Sequence, residues 1–319
     1  MQRYILRRLM LSIPTIFGVT VLIFIAMRVI PGDPLAMIQS EGTGSHMLSE
    51  EQLQAARASL GLDKPYPQQY LEWIGAILRG DLGQSFWRGD SVREIIMRRL
   101  PITAEIAAMA IVVAWIIGVP VGVLGAIRPN SWVDITSRLG VIVFLAIPSF
   151  WLGLLLIMTS VLWFNWRPSL SIVYLTDDPV ANLQMTVGPA LVMGIGLAAV
   201  IARVARAATL EVLNEDYVRT ARAKGTSERS VLLVHVLRNA LLPIVTVSGL
   251  AFGGLLGGSV AVERAFGVPG LGQALVLALT ERDWMLIQNL VLLYGLIFTA
   301  LNLLVDLSYA WIDPRIRYG

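Results

Sequence analysis

The chain has 319 residues, of which 56% are hydrophobic and only 15% charged, and its mean hydropathy is +0.69. Soluble domains carry roughly 25% charged residues, so this composition excludes an ordinary soluble domain. The net charge of +3 is too small to argue for nucleic acid, and the absence of cysteine excludes disulfides, thiolate metal sites and cysteine nucleophiles.

Six apolar stretches approach or exceed the length of about 20 residues that a helix needs to cross a bilayer. Helices are the expected spanning form, because backbone groups in lipid must pair within their own segment. No series of short segments alternates with period two, as barrel strands would. The first stretch, about 9–30, is closed by Pro31 and Gly32. Arg3, Arg7 and Arg8 precede it as they would a signal peptide. Its apolar core exceeds the usual length and no small-x-small cleavage site follows, so an uncleaved span is expected.

Residues 32–102 read as an extracytoplasmic helical insertion. LSEEQLQAARASLG offers Ser49 and Gln52 as a capping box and Gly61 as a stop. PQQYLEWIGAILRG starts on Pro67 and ends on Gly80. SVREIIMRRLP repeats the capping box with Ser91 and Glu94 and stops at Pro101. Three short amphipathic helices are predicted, either packed on the span ends or offered to a partner.

The remaining spans are expected at about 103–127, 139–164, 186–202, 241–262 and 286–310. Arg28, Glu105 and Asp306 fall near span ends, with Glu105 in the first turn of its helix. Asn302 lies one turn before Asp306 and is its candidate partner. Structural packing is preferred to a proton relay for these groups, because central charges are costly and usually paired.

Basic residues set the orientation. Arg3, Arg7, Arg8, Arg128, Arg138, Arg203, Arg206, Arg219, Arg222, Lys224, Arg229, Arg238, Arg315 and Arg317 fall on one side, against Arg167, Arg264 and Arg282 on the other. Both termini are therefore expected in the cytoplasm. The organisation expected is 1–31 for the tail and first span, 32–102 for the insertion, and 103–319 for a five-helix core carrying a cytoplasmic loop at 203–240.

That loop holds DYVRTARAKG at 216–225. Good helix formers precede Gly225, and TSERSVLLVHVLRNALL resumes after it with Thr226 or Ser227 as a cap. The local reading is helix, glycine, helix. On charge alone this would be a topology signal. The order of residues adds to that. Arg219-Thr220-Ala221, then three residues, Gly225, then nine residues and His235-Val236-Leu237-Arg238 resembles the signature loop of the membrane subunits of ABC-type importers. Arg219 stands where the general pattern has Glu, and Arg238 where it has Pro. Both departures resemble the dipeptide/oligopeptide/nickel branch, as do His235, Asn239, Ala240 and Pro243. IPGDP at 30–34, GDLGQS at 80–85, VERAFGVPGLGQAL at 262–275 and LVDLSYAWIDPRIRYG at 304–319 extend the likeness to the first permease type of that branch over essentially the whole chain.

The resemblance implies an all-α integral membrane protein with six transmembrane helices and the type I ABC importer permease fold. It implies that Asp216, Tyr217, Arg219, Ala221, Arg222, Ala223, Lys224 and Gly225 form the coupling region, seated in a groove of an ATPase subunit. It implies a homologous second permease, two cytoplasmic ABC ATPase subunits and an extracytoplasmic substrate-binding protein as partners, in a bacterial or archaeal inner membrane. ATP and magnesium belong to the ATPase subunits, and this chain binds no cofactor.

Gly249, Gly253, Gly254, Gly257 and Gly258 recur at four-residue steps in the fifth span. Such spacing lets helices approach closely, and packing within the subunit and lining of the pathway are both open. Glu263, Phe266, Pro269 and Gly270 follow as candidates for an outer gate by resemblance. No GxxxxGK[ST], HExxH or GxSxG run is present. His46 stands alone in a polar loop, so no catalytic or metal residue is expected. The function expected is passage of di- or oligopeptides. Nickel, glutathione, opines and oligosaccharides are alternatives within the class, and a self-sufficient channel or carrier is the alternative outside it.

Overall fold

The computed structural model describes residues 2–29, 63–85, 89–166 and 171–312, with side chains from 8 to 305. The expected helix at Ser49 to Gly61, the IPGDP segment, His46, Arg167, Arg315, Arg317 and the Asp306 side chain lie outside them. In chain order the helices are α1 (Gln2–Val29), α2 (Tyr66–Leu78), α3 (Val92–Ile127), α4 (Trp132–Ala146), α5 (Ser149–Phe164), α6 (Pro179–Leu213), α7 (Asp216–Ala223), α8 (Glu228–Phe266), α9 (Leu271–Glu281) and α10 (Trp284–Ile312). Five of them, α1, α3, α6, α8 and α10, are long and apolar enough to cross a membrane. The α4–α5 pair makes a sixth only if it counts as one span, since it bends by 98°.

That bend corrects the expected straight span at 139–164. Pro148 lacks an N–H and forces Ile147 out of the helical region, to φ −83 and ψ 123. Pro101 corrects the reading in the opposite sense. The helix expected to stop there runs on as α3, with Pro101 and Pro120 both inside it. Proline within membrane helices is tolerated where neighbours meet the freed carbonyl. Glu105 therefore sits mid-helix, not in a first turn, and its carboxylate accepts from Asn182 Nδ2 at 3.1 Å and Thr186 Oγ1 at 3.3 Å. The loop expected at 203–240 is largely helical. The span expected at 186–202 extends to Leu213, and α7 and the start of α8 fill most of the rest.

The chain divides into two compact units. The first holds Leu100–Gln273 and both chain ends. Its centre is α6, in which 72% of the spanning window is buried. Gly118 and Gly122 of α3 meet α6 closely. A Cβ on Gly118 would lie 2.7 Å from Ala198 O, and one on Gly122 2.7 Å from Ala205 Cβ. Lipid is as apolar as the side chains, so contact between helices is driven by such packing. Gly122→Leu is expected to separate α3 from α6 and cut the monodisperse yield from detergent at least several-fold. Gly140→Leu on α4, where a Cβ meets nothing within 4 Å, is the matched control.

The second unit holds Ser12–Arg99 and Ala274–Leu296. Its core gathers Phe24, Trp73 and Leu292, with Tyr70 edge-on to Phe24 at 5.2 Å between ring centroids. Arg28 lies over the Phe24 ring at 3.7 Å and donates from Nη2 to Gln69 Oε1 at 2.9 Å. The α2 helix matches its expected limits, with Pro67 in its first turn and Gly80 at φ +82 beyond its end. The GDLGQS turn is fastened to the start of α10. Ser85 Oγ donates to Asp283 Oδ2 at 2.5 Å, and Asn289 Nδ2 to Leu82 O at 3.0 Å.

Candidate functional site

The α7 helix is short and nearly bare. Val218 is its one fully buried residue, packed with Val231 and Val236. Asp216, Tyr217, Arg219, Arg222, Ala223, Lys224 and Gly225 are exposed, and Ala221 is half-buried. A single anchor on an otherwise polar helix holds the segment to its own chain while leaving most of its side chains for other contacts. Seven of the eight residues that the sequence assigns to coupling thus lie together on the surface.

Gly225 ends the helix for a stated reason. Its N–H donates to Arg222 O at 2.9 Å, and the Thr226 N–H donates to Ala221 O at 3.2 Å. This pair of bonds is the Schellman motif, which needs a left-handed residue at its turn, and Gly225 has φ +78. Arg222 then bridges the break, with Nε to Glu228 Oε1 at 2.8 Å and Nη2 to Oε2 at 3.3 Å. Ser227 occupies the cap position of the next helix but makes no side-chain cap. Among the described residues Arg219 reaches only Asp216, at 3.6 Å across an exposed pair, a contact that adds little.

Beyond Gly225, the first turns of α8 are π-helical from Val231 to Val236, with Leu237 N donating to Leu232 O. Asn239 Nδ2 donates both to Tyr217 Oη at 2.7 Å and to His235 O at 3.0 Å, tying α7 to the wide turn. Sequence reasoning missed the π-turn and the Tyr217–Asn239 link. The pattern LLVHVLRN carries the asparagine but not its partner.

The glycine stripe divides in two. Cβ atoms on Gly249 and Gly253 would run into Val305 and Phe298 of α10, so these two pack within the chain. Gly254, Gly257 and Gly258 have nothing within 4 Å and are free to face something else.

All four gate candidates are buried. Phe266 lies between α5 and α6, where Cβ atoms on Gly153 and Gly188 would come within 2.8 Å and 2.7 Å of its ring. The Glu263 carboxylate accepts from Thr103 Oγ1 at 2.9 Å, Gly272 N at 2.8 Å and Gln273 N at 3.2 Å, while Leu271 N donates to Thr103 Oγ1 at 2.8 Å. Together they satisfy the open N–H groups of the α9 N-terminus, where negative charge is favoured. Gly270 has no room for a side chain beside them. Burial makes these residues a clasp that fixes the α8–α9 turn, and any gating there must move the turn as one piece. Glu263→Ala removes the acceptor of two buried donors, Thr103 Oγ1 and Gly272 N, and of the part-buried Gln273 N, and is expected to cost roughly 2–5 kcal/mol. It should lower the thermal midpoint in detergent clearly more than Glu263→Gln, which keeps an acceptor oxygen.

A second polar centre joins α4 to α6. Asp134 is fully buried and accepts from Arg206 Nε at 2.6 Å, Arg206 Nη2 at 2.8 Å and Asn130 N at 2.9 Å, with Arg138 Nε at 3.5 Å.

Comparison with known proteins gives one consistent result. Residues 118–318 match the model described as the binding-protein-dependent transport system inner membrane component, and residues 1–107 match the N-terminal model of the same systems. The dipeptide transport system permease protein DppB of Escherichia coli strain K12 is 40% identical over 344 residues, covering 100% of this chain and 99% of that one. The oligopeptide transport system permease protein AppB of Bacillus subtilis strain 168 is 38% identical over 321 residues, covering 100% of both. Among solved structures, an inward-facing form of the MetNI methionine ABC transporter aligns with a TM-score of 0.57 at 20% identity, covering 69% of this chain and 96% of that one. An amino acid ABC transporter follows at a TM-score of 0.53 and 16% identity, covering 68% and 93%.

Proposed function

The chain belongs to the family of binding-protein-dependent transport system inner membrane components, and from that premise we propose how its parts serve import. It is a multi-pass inner-membrane permease subunit of an ABC importer, with peptides as the cargo. The chain carries no hydrolytic step; ATP hydrolysis lies with partner subunits. Relatives named for dipeptides and oligopeptides, both matching over the full length, favour peptides over nickel, glutathione or sugars.

The finer reading is this. The α7 helix seats in a groove of a cytoplasmic ATPase subunit, with Arg219, Arg222 and Lys224 as its polar rim and Gly225 as its turn. Two such ATPase subunits, which hold the ATP and magnesium, drive a pair of permeases of which this chain is one. A substrate-binding protein delivers peptide from the other face, and both termini lie in the cytoplasm with α7. Gly254, Gly257 and Gly258 face the second permease or the pathway, and the Glu263 clasp moves as a unit with the outer end of α8. Transport is then a shift of population between inward and outward states, biased by whatever binds one state better.

The observation that carries this reading is α7 itself: one buried anchor, the remaining side chains largely exposed, and a glycine-closed end, in a chain of this family. The test is purification of the tagged chain from its native membrane in mild detergent, with partners identified by mass and ATPase activity assayed. Recovery of a second permease and ATPase subunits, with peptide-stimulated hydrolysis, is expected. A homo-oligomer that moves solute across liposomes without ATP would replace this reading with a channel or carrier.

A further inference from the structure

We propose that the slot between α3, α4 and α6 is a binding site for one anionic phospholipid. Two clefts of about 290 and 340 Å³ adjoin there and share Val121, Ser137, Val141 and Ala202. One is lined by Ile117, Gly140, Phe144, Ile195 and Ala198 and is apolar apart from Ser137. The other opens among Arg138, Arg203 and Arg206.

The shape fits a lipid, and a soluble anion much less well. From Ile195 to Ala207 the slot follows about 18 Å of α6, at 1.5 Å per residue. One leaflet of the hydrocarbon core is about 15 Å deep. The slot is therefore about as long as one leaflet is deep: roughly 10 Å of it, from Ile195 to Ala202, offers an acyl chain a mainly apolar wall, and the rest ends in positive charge. Gly140 forms part of that wall, and its missing side chain leaves the space open.

The charge fits an anionic headgroup. Arg138, Arg203 and Arg206 line that end of the slot, and the one carboxylate paired there, Asp134, is bound by Arg206 and approached by Arg138, which leaves two positive charges over. Arg206 is held by Asp134 through two hydrogen bonds, so its orientation is fixed. Arg138 is half-exposed at 3.5 Å from the same carboxylate. Arg203 is exposed and makes no hydrogen bond or ion pair among the described residues. Arg138 and Arg203 are the two that would reach a phosphate. Trp132, 80% exposed in the first turn of α4, stands one to two turns from Arg138, and tryptophan is enriched at membrane–water interfaces, where lipid headgroups lie. The inference needs only a bilayer around the chain and holds whichever face α7 occupies.

The test uses the full chain, with whatever subunits accompany it, in nanodiscs of phosphatidylethanolamine doped with phosphatidylglycerol that carries a photoreactive acyl group. Labelling is expected on the peptides containing residues 137–144 and 195–203. Unlabelled phosphatidylglycerol should compete and glycerol phosphate should not. Arg203→Gln and Arg138→Gln should each lower phosphatidylglycerol retained in native mass spectrometry about fivefold. Gly140→Leu should remove the label while leaving the chain monodisperse. Equal labelling of parent and variants would overturn the proposal, as would competition by glycerol phosphate alone. So would a photo-crosslinker at position 140 that couples to another subunit in the intact complex, because the slot would then be a protein interface.

Discussion

Gly225→Asp is expected to insert, fold and assemble as the parent does, yet to lose transport at least tenfold. The chain's own structure gives the mutation little to disturb. A Cβ at Gly225 meets nothing within 4 Å, and aspartate is among the residues that tolerate a left-handed backbone. The Schellman bonds at the end of α7 can therefore persist. What changes is the exposed tip, which gains a carboxylate where the reading above places an ATPase groove. Peptide uptake and peptide-stimulated ATPase activity in proteoliposomes measure the effect. Gly225→Asn separates volume from charge, since it keeps the shape of the first variant without its ionisation. Gly225→Val is the contrasting case, because a β-branched residue at φ +78 strains the turn itself. Unaltered uptake in Gly225→Asp would remove α7 from the coupling role.

Asp134→Ala is expected to be among the most destabilising single substitutions in the chain. It removes a fully buried carboxylate and leaves Arg206, whose side chain is only 24% exposed, without its two hydrogen bonds. Breaking one half of a buried pair costs about 3–5 kcal/mol, whereas replacing both halves with apolar groups of similar volume is often neutral. Thermal unfolding in detergent should therefore show a large drop for Asp134→Ala and recovery in Asp134→Leu combined with Arg206→Met. A double mutant as unstable as the single one would mean that α4 and α6 are held by something other than this pair.

The contrast between these two sites tracks what a sequence can carry. Gly225 was legible because the signal is local: helix formers, a glycine, and a cap residue within a few positions. Pro67 and Gly80 bracket α2 for the same reason. Asp134 was not, because its partner lies 72 residues away, and neither was the Glu263–Thr103 contact across 160 residues. Prolines misled in both directions. Pro148 breaks a span whose apolar run passes through it, and Pro101 lies inside a helix that the local sequence predicts to stop there. Only the packing around each decides which effect wins. Gly118 and Gly122 carry the same four-residue spacing as Gly249 and Gly253 and could have been found by it.

The wide turn from Val231 to Val236 has a consequence for helical phase. From Val231 to Ile244 the fully buried positions of α8 fall at Val231, Val236, Ala240 and Ile244, one step of five and then steps of four. An α-helix turns about 100° per residue, so a five-residue step would carry the buried stripe off its face if the turn were ordinary. The π-helical turn absorbs the additional residue and keeps Val231, beneath α7, in line with the face that α8 buries further along. The segment works as a slot for one residue. Removing a residue inside it shortens α8 and leaves its faces where they are, while removing one just beyond it rotates the rest of the helix and turns Gly249 and Gly253 away from α10.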